Sequence, residues 1–193
     1  MATIIGTLSP KTASSNSLVS SRLTWREAIL LVGLGAAAVL LHAATRGRLD
    51  LAPGYQGVAL IAFFLMGRTT SRYRWAAIVS AAGAAGTAML PVWGFNDPFR
   101  WLTYFLAGAT VDVLYLLVLR WPASIWIIGA IGGLAHMTKP LTRVIINLLT
   151  GWPYGSLLWG VAYPAATHFM FGFIGALMCA GLLIALRRHG HKR

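Results

Sequence analysis

Between Trp25 and Leu186 the chain is a succession of long apolar stretches, each closed by an arginine, a lysine or a Pro/Gly turn. A water-soluble domain has no core large enough to bury them all. In a bilayer, about 20 apolar residues in a helix cross the hydrocarbon layer of about 30 Å with every backbone polar group bonded internally. At 193 residues, 58% hydrophobic and 10% charged, with a mean hydropathy of +0.70, the chain has room for roughly six such helices joined by short loops. The fold expected is all-α: a polytopic membrane protein, a bundle of six transmembrane helices over residues 25–188. A Ser/Thr-rich stretch, 1–24, lacks an apolar core of signal-peptide length and reads as a disordered cytoplasmic tail, and 189–193 as a basic cytoplasmic tail.

The net charge of +12 does not describe a nucleic-acid surface, because the 16 lysines and arginines are spread over the ends of the apolar segments. They mark topology. The single cysteine, Cys179, lies inside an apolar run and supports neither a disulfide framework nor a thiol metal site.

The expected spans are 25–45, 58–66, 75–92, 100–119, a fifth from Trp121 to about Pro140, and 164–186. Small residues recur at four-residue spacing in span one (Gly33 and Ala37), span three (Ala77, Ala81, Ala85), span five (Gly129 and Gly133) and span six (Gly172, Ala176, Ala180). Such faces let helices approach closely. Asp112 is the one carboxylate well inside an apolar segment, and the favoured reading is structural: a buried pair with an arginine, or a bond to a neighbouring helix.

Ile125 to Tyr154 is the stretch that points to function. His136, Lys139, Pro140 and Arg143 follow an apolar, glycine-flecked half without a polar break. Ionisable groups at membrane depth cost several kcal/mol unless they face protein or water, so they mark a site by default. Substrate contacts are assigned to His136, Lys139, Arg143, Asn147, His168, Tyr55 and Trp93. Lys139 also has a second reading, as a side chain snorkelling to the headgroups from a helix that ends near Pro140. His42, His136 and His168 at one level would suit zinc, nickel or cobalt; each serves equally as a helix contact, so no metal or other cofactor is assigned.

No His-Glu-x-x-His pair, Gly-x-Ser-x-Gly elbow or Walker A sequence occurs, so the chain is read as no enzyme and as lacking an ATPase of its own. With six spans the termini share a side. That side carries eleven of the 16 basic residues, which places both termini in the cytoplasm of a cell (inner or plasma) membrane.

Six short spans, a small-residue face on span one, outward loops and no ATPase, with GGLAHMTKPLTR at Gly132 to Arg143 and THFMFGFIGALMCAGLL from Thr167, resemble the substrate-binding S components of energy-coupling factor (ECF) transporters. The resemblance implies a subunit that captures a vitamin or related micronutrient on the outer side. It also implies partners, a transmembrane T component and two cytoplasmic ATPases, with Gly33, Ala36 and Ala37 as the partner-helix contact. Cobalt and nickel members of that group begin with a histidine beside the initiator methionine, whereas this chain begins Met1-Ala2-Thr3. The basic pocket favours a neutral heterocycle or an anionic vitamin. Two other readings stay open: a self-contained secondary carrier, and a non-transporting assembly partner.

Overall fold

The computed structural model describes residues 20–45, 52–93, 95–118, 124–158 and 160–190. Among them are six α-helices: α1 (Trp25–Thr45), α2 (Gly57–Thr70), α3 (Ala76–Ala88), α4 (Arg100–Val118), α5 (Ile125–Thr150) and α6 (Ala162–Gly190). Short 3₁₀ turns at Pro91–Trp93 and Gly155–Leu157 join them, and no strand occurs among the described residues. The protein is all-helical.

Three helices are long and apolar enough to cross a membrane: α1, α4 and the 162–186 portion of α6. At 1.5 Å per residue, α2 and α3, with 14 and 13 residues, reach only about 20 Å. The fifth helix has ample length but carries His136, Lys139 and Arg143 in its second half. Among the described residues, helix length and composition by themselves mark three crossings.

α2 is the central post, packed by α1, α3, α4, α5 and α6, with Ile61, Phe64 and Leu65 completely buried. α3 is thin enough to be sandwiched between α1 and α4. A Cβ on Gly35 would meet the Ser80 carbonyl at 1.7 Å, one on Gly83 the Val32 carbonyl at 2.1 Å, and one on Gly108 the Ala77 carbonyl at 2.7 Å. α5 and α6 meet in the same manner, Gly132 against Gly172 and Ala176. The four-residue small spacing thus marks real seams, with one exception. A Cβ on Gly33 would meet nothing within 4 Å, and Ala36 and Ala37 are half-buried, because α1 packs through Gly35, Ala38, Val39 and His42 instead.

The surface is apolar where a soluble protein is polar. Ile29, Leu30, Leu40, Leu41, Leu117 and Leu182 are all exposed, whereas Arg68, Asp112, His136, Lys139 and His168 are buried. Between α1 and α6, over α2, lies an apolar cavity of about 560 Å³ whose polar end is formed by His42, Thr45, Tyr55 and Gln56.

At the end where α2 turns into α3, the buried charges hold the fold. Asp112 reaches across from α4, and its two oxygens accept from the backbone N–H groups of Ala77 (3.1 Å) and Ile78 (2.9 Å), so α4 supplies the N-terminal cap of α3. Arg68 lies 3.6 Å from the same carboxylate and donates to the carbonyls of Tyr73 (2.5 Å), Arg74 (2.7 Å) and Ser71 (3.3 Å). Both structural readings of Asp112 therefore hold together. Glu27 accepts from Ser71, tying the start of α1 to this turn. Ser20 pairs with the 72–74 backbone (2.7 and 3.0 Å), so the last residues of the expected tail are docked on the body. Residues 1–19 and 191–193, with Arg46, Arg48, Asp50 and Arg120, lie outside the described residues.

Candidate functional site

His136, Lys139, Arg143 and Asn147 stand three or four residues apart and so share one stripe of α5. The stripe exists because α5 does not stop at Pro140: the helix runs on to Thr150 and ends at Gly151 in the left-handed conformation (φ 70°). Proline removes one ladder donor, while Thr138 and Thr142 side chains donate to the carbonyls of Ala135 and Thr138 (2.7 Å each) on either side of it. The helix expected to end near Pro140 runs on for about ten residues. Lys139 is 3% exposed and does not snorkel; its Nζ donates to Gln56 Oε1 (3.0 Å) at the start of α2 and lies 6.0 Å from the Tyr104 ring centroid.

His136 stacks on His168 of α6, with centroids 4.7 Å apart. His136 Nε2 faces the Gly54 carbonyl at 3.1 Å and donates to it, which leaves Nδ1 as a buried acceptor with no hydrogen bond. His168 Nδ1 donates to the Pro164 carbonyl (2.8 Å). The turn before α2 is shaped to these rings: Gly54 has φ 95°, and a Cβ on Gly57 would lie 2.1 Å from His136 Cδ2. His42 is elsewhere, stacked on Phe95 (5.5 Å) and edge-on to Tyr55 (6.0 Å). The three histidines do not form one group, and no cluster of three metal-ligating side chains occurs among the described residues.

Arg143 leads from this buried group to the surface. Its Nη1 donates to Ser156 Oγ (3.2 Å), its Nη2 is 3.9 Å from Asp97 Oδ2, and its guanidinium lies 5.1 Å from the Tyr154 ring. Above it opens a cleft of about 390 Å³ lined by Asn96, Asp97, Trp152, Tyr154 and Ser156. Tyr154 donates to Asp97 Oδ1 (3.2 Å), as does the Phe99 backbone N–H (3.0 Å). Burial, and then the Asp97 carboxylate, push the Tyr154 phenol up to about 12. Arg100, at the start of α4, stands over Phe95 at 4.0 Å.

Of the predicted contacts, His136, Lys139 and His168 come together below the cleft and Arg143 lines it. Asn147 is half-exposed to the side and holds the loop by donating to the Trp152 carbonyl (2.8 Å). Tyr55 lines the apolar cavity, and Trp93 sits in its own 3₁₀ turn. Gln56, Asp97, Arg100, Tyr104 and Ser156 belong to the site but were not singled out from sequence. Asn96-Asp97-Pro98 signals a turn and nothing more, so only folding reveals the carboxylate's place. No family model, no curated protein and no solved structure matches this chain.

Proposed function

We propose that the chain is a membrane-embedded binding subunit for uptake of a vitamin-like small solute. In this reading its helices lie in the cell membrane as a six-helix bundle, both termini are cytoplasmic, and a T component with two ATPases supplies the energy. The observation that carries it is the cleft: about 390 Å³ with Arg143 at its base and buried Lys139 below, at the end of the bundle away from the Arg68–Asp112 cap. That volume falls in the range of small-molecule sites. Trp152 and Tyr154 offer stacking area, and the cations offer a polar handle. The face of α1 with exposed Gly33 and half-buried Ala36 and Ala37 supports a partner helix, since close backbone approach needs small residues that are not fully covered.

The test is a melting experiment on the purified protein with a panel of water-soluble vitamins. A ligand at a hundred times its Kd adds about 2.7 kcal/mol and raises the midpoint of a chain this size by roughly 5–10 °C. A panel in which none shifts the midpoint counts against the reading.

A further inference from the structure

The cleft end of the bundle is short of negative charge. Of the four acidic residues, Asp112 is committed to the first turn of α3 and Glu27 to Ser71 at the opposite end, and Asp50 lies outside the described residues. Asp97 alone among the described acids stands with Arg100, Lys139 and Arg143. Its grip on Arg143 is poor: one contact of 3.9 Å, with Asp97 Oδ2 buried and without a hydrogen bond.

The guanidinium has one edge that lacks acceptors. Ser156 occupies Nη1, whereas Nε is buried without an acceptor and Nη2 has only the long contact. Nε and Nη2 are the two donors of the side-on fork that holds a carboxylate with two parallel bonds. Asp97 cannot close on that fork while its other oxygen is held by Tyr154 and the Phe99 N–H.

Resting on the binding function proposed above, we propose that the ligand is a small organic carboxylate with a flat body, and that Asp97 is a resident counter-ion which the ligand's carboxylate displaces from Arg143. The flat body lies against Trp152 and Tyr154. Because Asp97 competes with the ligand, removing its charge strengthens binding, whereas a carboxylate that merely positions Arg143 for the ligand weakens binding when removed.

The probe is para-fluorobenzoate, with para-fluorobenzamide as its neutral twin, observed by fluorine NMR on the purified full chain. Benzoate binds and benzamide does not; Arg143→Gln weakens benzoate at least about tenfold and Asp97→Asn tightens it severalfold. Equal binding of the two probes, retention in Arg143→Gln, or unchanged or weaker binding in Asp97→Asn overturns the inference. If Arg143→Gln does not fold, Asp97→Asn decides alone, since asparagine still accepts from Tyr154 and Phe99. A vitamin that stabilises wild type and Arg143→Gln alike but not Lys139→Gln sinks this inference and leaves the binding function standing. Benzoate binding as expected, with no response to any vitamin, does the reverse.

Discussion

A carboxylate inside an apolar helix is costly unless its oxygens are used, and Asp112 uses both on the backbone of α3. Replacing it with alanine uncaps α3 and leaves the Arg68 guanidinium buried without a counter-charge, a loss of about 3–5 kcal/mol in unfolding measured in detergent. Asp112→Asn, which keeps one acceptor, loses less. Tyr154 makes a prediction in the alkaline range. Its phenol titrates near 10 in the unfolded chain and at about 12 in the folded one. Between those values the folded state holds a proton that the unfolded state has released, so this contribution is fully present below pH 10 and disappears as pH rises through 12. Wild type therefore loses melting temperature faster over that window than Tyr154→Phe; parallel pH profiles contradict the burial of the phenol beside Asp97.

The helices differ in how far their residues announce them. α1 and α4 coincide with their expected spans to within a residue, because arginines and aromatic residues bracket unbroken apolar runs. α5 overruns its expected end near Pro140 by about ten residues, since the length of one bilayer crossing sets that end whereas the helix tolerates the one bond that proline removes. His136, Lys139 and Arg143 are legible as candidates because they are ionisable beside an apolar run, but their common stripe depends on the helix continuing past Pro140. Its partners Gln56 and Asp97 come from loops distant in sequence, and only the packing order of the helices brings them near. Small-residue spacing identified the seams but not which face of α1 is buried. Gly35 and Gly33 test that distinction: Gly35→Ala forces α1 from α3 and costs about 1–3 kcal/mol in unfolding, while Gly33→Ala, with open space around it, costs nothing and gains up to about 1 kcal/mol of helix propensity. The proposed partner contact adds that Gly33→Leu folds normally but loses association with a helical partner.

As a whole the molecule exposes many large apolar side chains and buries Arg68, Asp112, His136, Lys139 and His168 within an apolar core, with three helices among the described residues long and apolar enough to cross a membrane. The buried polar groups fall into two sets with different degrees of completion. At the α2–α3 turn Asp112 has two backbone donors and an arginine, and Arg68 has three carbonyls, with its Nε alone left without an acceptor. At the cleft, His136 Nδ1, Arg143 Nε, Arg100 Nε and Asp97 Oδ2 are buried without hydrogen bonds, and Lys139 rests on a neutral amide. A nearly complete set serves stability; a set with four buried groups unpaired beside a cleft is a place for a ligand. The most direct test is the ligand-induced melting shift of wild type against Lys139→Gln and Arg143→Gln. The account predicts that at least one water-soluble vitamin raises the wild-type midpoint by roughly 5–10 °C and that both variants lose most of that rise. A vitamin panel with no effect on wild type, or an equal rise in all three proteins, would contradict it.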